Sequence, residues 1–93
     1  MPSVVAVIKV KEDKIEEAKT FLKNLAAETL KNESGTLEYI PHQQQGDPTT
    51  FVFYEKYESD EAFALHGKNL ASKGAEFAGL MAAPPQITML DEI

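Results

Sequence analysis

Cysteine is absent from these 93 residues, and that absence removes three chemistries together. There is no disulfide framework, no thiolate metal site and no cysteine nucleophile. Positive charge is also scarce: nine basic residues stand against fifteen acidic ones, giving a formal charge of −6 and a pI near 4.8. The basic residues are scattered along the chain, so no patch exists to hold a polyphosphate, which argues against nucleic acid and anionic membranes as partners. No stretch approaches the roughly 20 apolar residues of a membrane span. The opening MPSVVAVIKVKED has no basic segment ahead of its short apolar run, unlike a secretory leader. A soluble, cytoplasmic protein is therefore expected. Glycine-rich phosphate loops and dinucleotide fingerprints are missing as well, so no cofactor is called for.

What is present is an alternation of strand and helix patterns that suits one domain, residues 1–93. Ser3 to Lys11 is rich in β-branched residues, with Val4, Ala6, Ile8 and Val10 on one face and Val5 and Val7 on the other. Asp13 followed by Glu16 fits a capping box. Ile15, Ala18, Leu22, Leu25, Ala26 and Thr29 then recur at helical spacing, and Glu33-Ser34-Gly35 stops that helix, with Gly35 suited to a left-handed terminal position. A second strand spans Thr36 to Gln45, Gly46-Asp47-Pro48 makes a turn, and Phe51 to Tyr57 forms a third strand in hairpin with the second. Ser59 caps a short helix, Asp60 to His66, which is expected to break at Gly67. Leu70, Gly74, Phe77, Ala78 and Met81 share a face of a further helix. Pro84-Pro85 then forces extended chain into a last strand, Gln86 to Asp91.

The order is β-α-β-β-α-β, an α+β ferredoxin-like arrangement with a four-stranded antiparallel sheet and helices on one face. The opposite face would lie bare. Strands one and three are apolar or aromatic on both sides (Phe51, Phe53 and Tyr57 against Val52 and Tyr54), so a homodimer packed sheet to sheet is the simplest cover. A chain this short buries only about 60–65% of its unfolded surface, and a partner would strengthen its core.

Three phrases, Ser34-Gly35-Thr36-Leu37-Glu38-Tyr39, Phe53-Tyr54-Glu55-Lys56-Tyr57-Glu58-Ser59 and Ala62-Phe63-Ala64-Leu65-His66, occur in this order. Together they resemble the antibiotic biosynthesis monooxygenase family, in particular its small quinol-oxidising members, over nearly the whole chain. The resemblance implies a dimeric α/β barrel with a pocket between sheet and helices. It also implies activities ranging from cofactor-independent oxygenation of quinols and polycyclic aromatics to haem degradation and isomerisation of a phosphorylated sugar. It carries Glu55 and His66 over as pocket residues. Related members often have a second histidine about five residues after the first, where this chain has Ala71. The haem-degrading branch has a tryptophan in the place of His66, which argues against that activity here.

His66 is the foremost catalytic candidate, since a histidine takes a proton from a phenol or an enediol near neutral pH. The alternative is a helix-terminal imidazole interacting with the last carbonyls or a neighbour. Glu55 alternates with Phe51, Phe53 and Tyr57, and a carboxylate on such a face needs a partner. That partner is His66, a lysine or the dimer mate. Tyr39, Tyr54, Phe53, Phe63 and Phe77 are candidate substrate-binding residues, with core packing as the alternative for each. His42, beside three glutamines, belongs at the rim or in solvent, and no ligand pair has a metal-site spacing. The expected function is a monooxygenase of a quinol-like or aromatic molecule with a histidine base. Alternatives are an isomerase of a small carbonyl or phosphorylated sugar, and a non-catalytic small-molecule-binding dimer.

Overall fold

A computed structural model describes residues 1–93. Its elements are β1 (Pro2–Lys9), α1 (Ile15–Asn32), β2 (Thr36–Gln43), β3 (Thr50–Tyr57), α2 (Asp60–Ala71), α3 (Gly74–Leu80) and β4 (Gln86–Asp91). The strands form one antiparallel sheet in the order β2-β3-β1-β4. This is the ferredoxin-like arrangement that the strand and helix patterns called for. No helix is long and apolar enough to cross a membrane.

The sheet register sorts side chains by face. Val4 lies opposite Glu55, Ala6 opposite Phe53 and Ile8 opposite Phe51, and all six are buried beneath the helices. On α1, Ala18, Leu22, Leu25, Ala26 and Thr29 are buried, the stripe that the 3.6-residue period marks. Fully buried Phe53 and Tyr57 each contribute about 1.5–3 kcal/mol of apolar burial. Val5, Val7, Val52 and Tyr54 project to the other face, where no helix lies, and remain half-buried.

The two helical regions cover the sheet unequally. While α1 buries five residues, α2 buries only His66. The end of α3 is tied to the end of β1 by Lys11 N–H donating to Leu80 O (2.9 Å), Ala82 N–H donating to Lys9 O (2.8 Å) and a bridge between Val10 and Met81. This tether holds the second helical region over β1 while leaving a gap beneath it.

Three local expectations are corrected. Asp13 does not cap α1: Glu12–Lys14 form a 3-10 turn, the helix starts at Ile15, and no side chain bonds its first amides. Gly35 is not left-handed, since Gly46 at φ 82° is the one residue with positive φ. Its importance is steric, because a Cβ there would lie 2.6 Å from the Ala62 Cβ. The absent side chain lets α2 start close against the α1–β2 turn. The third correction concerns Gly67, where α2 does not break but continues to Ala71. Ser59 accepts from Ala62 N–H at its start (3.1 Å) and Asp60 and Glu61 suit its dipole, offsetting the cost of about 1 kcal/mol for one internal glycine.

Candidate active site

Because α2 stands off the sheet, a cavity of about 440 Å³ opens between them. Its floor is Val4, Ala6, Ile8, Tyr39, Phe53 and Glu55 from the strands, and its roof includes Phe63, His66, Leu70 and Phe77. Four expected binding residues, Tyr39, Phe53, Phe63 and Phe77, thus meet in one place together with both catalytic candidates. Tyr54 does not join them. It is out of phase with Phe53 and Glu55 along β3 and faces the helix-free side of the sheet. His42 pairs with Val52 on that same far side, and its Nδ1 bonds the carbonyls of Ile40 (3.0 Å) and Val52 (3.3 Å). It therefore cannot share a ligand with His66.

The partner of His66 is a residue the sequence reading took for a helix stop. His66 Nδ1 lies 3.0 Å from Glu33 Oε1, with both side chains buried. Thr36 Oγ1 also donates to Oε1 (2.9 Å), and Asn69 Nδ2 donates to Oε2 (3.2 Å), so the carboxylate is held on both oxygens. A signal for Glu33 exists in the sequence. It falls four residues after Thr29 and continues the buried stripe of α1, placing a carboxylate at a core position that demands a donor. The tautomer that satisfies this geometry has Nδ1–H donating to Glu33 and a lone pair on Nε2.

Glu55 is engaged within its own strand. The Tyr57 hydroxyl donates to Glu55 Oε1 at 2.6 Å. Burial pushes the Glu55 pKa up, while the Tyr57 hydrogen bond and the nearby His66 hold it back. Burial raises the Tyr39 and Tyr57 hydroxyls far above their ordinary value; donation to Glu55 adds to this for Tyr57, and the Glu55 and Glu33 charges add for both. Both phenols therefore remain hydrogen-bond donors. The Tyr39 ring lies 4.8 Å from the imidazole and 4.6 Å from Phe53, which holds the imidazole edge-on to the phenol.

His66 Nε2, Glu55 Oε2 and the Tyr39 hydroxyl make no hydrogen bond within the chain, yet no buried polar side-chain atom lacks a partner. None of the three is sealed off; Tyr39 and Glu55 line this cavity, and His66 lines both it and a second one. An apolar chamber is thus lined by one imidazole, one carboxylate and one phenol with hydrogen-bonding capacity to spare. Ala71, at the place of the second histidine of related proteins, lines the same chamber and adds no polar group.

The family model described as antibiotic biosynthesis monooxygenase matches residues 1–76. Among solved structures, a candidate antibiotic biosynthesis monooxygenase from Caulobacter crescentus is 31% identical, with a TM-score of 0.90 over 99% of this chain and 89% of that one. A protein of the same description from Nitrosomonas europaea is 27% identical, with a TM-score of 0.83 over 100% and 99% of the two chains. A conserved protein from Methanosarcina mazei, 21% identical with a TM-score of 0.88 over 99% and 92%, shares the fold. No curated protein matches this chain.

Proposed function

Because this chain belongs to the antibiotic biosynthesis monooxygenase family, we propose that it is a cofactor-independent monooxygenase of a quinol-like or aromatic small molecule. The observation that carries this reading is the arrangement of His66, which lines an apolar cavity with Nδ1 bonded to buried Glu33 and Nε2 without a partner in the chain. A phenolic substrate fits the chamber by stacking among Phe53, Phe63 and Phe77. Its reacting hydroxyl meets His66 Nε2, and a second oxygen meets the Tyr39 hydroxyl or Glu55 Oε2. His66 takes the phenolic proton, and Glu33 stabilises the imidazolium that forms. The electron-rich anion then reduces dioxygen. One oxygen atom is added to the ring and the other leaves as water, with all the electrons drawn from the substrate. The apolar walls keep bulk water from the anion.

The lining favours this reading over an isomerase of a phosphorylated sugar, since no lysine lines the chamber to pair with a phosphate. Phe77 and Met81 form part of its wall and leave it open, which supports ligand binding over a purely structural role. A panel of hydroquinones followed by oxygen uptake tests the proposal, with consumption well above the uncatalysed rate expected for at least one of them. Turnover that proceeds unchanged without oxygen would instead indicate isomerisation.

The protein is further proposed to act as a homodimer joined through the helix-free sheet face. Val5, Val7, Ile40, Val52, Tyr54 and Leu90 share that face, and Ile40 and Leu90 are 41% and 40% exposed. Sedimentation at micromolar concentration is expected to give twice the 10.3 kDa chain mass. A stable folded monomer would refute the dimer.

A further inference from the structure

Behind His66, away from the apolar chamber, a second cavity of about 440 Å³ lies between the last turns of α1 and α2. Its lining is mixed, with Thr29, Asn32, Glu33, Asn69 and Ser72 beside Leu25 and Leu70. Glu33 lines this outer cavity and not the inner one, Tyr39 and Glu55 line only the inner one, and His66 lines both. Leu70 is the other residue common to both, so His66 and Leu70 form the shared wall, with Glu33 backing His66 on the outer side. The two nitrogens of one imidazole are engaged differently. Nδ1 meets a carboxylate that lines the outer cavity and whose second oxygen is held by Asn69, while Nε2 has no hydrogen-bond partner in the chain.

We infer that the outer cavity is the route by which the Glu33–His66 pair exchanges protons with bulk water, so that its charge state is set from the polar side even when the inner chamber is filled. A cavity of this size with several polar walls readily holds water. When the ring is an imidazolium, its Nδ1 proton passes to a Glu33 oxygen and on to water, leaving a neutral imidazole, and the reverse transfer restores the cation; only N–H and O–H bonds change. Other ionisable groups face the pair from each side. Glu55, Tyr39 and Tyr57 lie inward, while Lys68 and the Lys73–Glu28 ion pair (3.3 Å) border the outer cavity. The catalytic use of this route rests on the function proposed above, but the route itself does not.

The test is the rate at which the His66 ring N–H exchanges with water, followed by NMR on protein carrying 15N-histidine. His42, on the far side of the sheet, serves as internal reference. Asn32→Phe with Ser72→Leu fills the outer cavity from exposed positions, and Ala71→Phe with Ile87→Trp fills the inner one. The outer pair is expected to slow His66 exchange about tenfold or more, and the inner pair to change it by less than about twofold. Asn69→Ala, which opens the lip of the outer cavity, is expected to speed it. Slowing by the inner pair alone, equal slowing by both, or no change with either would overturn the inference. No substrate turns over in this measurement, so failure of the oxygenase reading would leave its result intact.

Discussion

The two cavities that meet at His66 have the same volume, about 440 Å³, but the outer one is much the richer in polar groups. The inner one is walled by aliphatic and aromatic side chains from the sheet and from the facing sides of α2 and α3. The outer one is walled mostly by amides, hydroxyls and charges from the helix ends. The difference follows from how each helix is used. Packed directly on the sheet, α1 spends its apolar stripe on the core, so that only its last turn offers polar groups. By contrast, α2 is held off the sheet, so its apolar residues line a void rather than fill it. Under the proposed function, a histidine between such regions uses one nitrogen for chemistry and the other for control of its charge and orientation.

Removing the carboxylate that backs the shared wall is the largest expected perturbation of stability. Glu33→Ala deprives the His66, Thr36 and Asn69 donors of their acceptor in a largely buried setting, and about 2–4 kcal/mol of stability should be lost. Glu33→Gln should retain most of it. Denaturant titration distinguishes the two, and a loss under about 0.5 kcal/mol for the alanine variant would mean that the pair does not bind the two regions together.

Moving α2 as a body should have a smaller effect. Gly35→Ala places a methyl group against Ala62 and pushes the helix start outward, at a cost of about 1–3 kcal/mol. If thermal unfolding of this variant matches wild type, the close approach is not what positions α2.

The inner chamber can also be altered through Glu55. Burial raises its folded pKa above the ordinary 4.5, so its contribution to stability is fully present below that value and is lost as pH rises through the folded pKa. Glu55→Gln keeps an acceptor for the Tyr57 hydroxyl and removes the titration. The variant should match wild type near pH 4 and gain relative stability as pH rises toward neutrality. A stability difference independent of pH would contradict this.

Much of the fold is legible in periodicity. The α1 stripe, the alternation in β1 and β3 and the Pro84-Pro85 entry into β4 each express a local rule, and so does the inward placement of Phe53 and Glu55. The same alternation places Tyr54 on the opposite face, so its inclusion among binding residues went against a rule already visible in β3. What local rules do not carry is the Glu33–His66 contact, which joins residues 33 positions apart. His66, a lysine and the dimer mate are all open as partners of Glu55 from the sequence, and within the chain Tyr57 bonds Glu55 while Glu33 bonds His66. Gly67 misled for a related reason. Its intrinsic cost in a helix is real, but a well-capped helix anchored by a buried histidine absorbs it.

The central claim is that Glu33 and His66 form one catalytic unit at the shared wall, and a mutant cycle of oxygen-uptake rates tests it most directly. With an accepted hydroquinone, His66→Ala should fall by about 10²–10⁴ and Glu33→Gln by less. The double variant should be no slower than His66→Ala alone, because residues acting as a unit do not lose activity independently. A His66→Ala variant as fast as wild type, or a double variant that multiplies the two separate losses, would contradict the account.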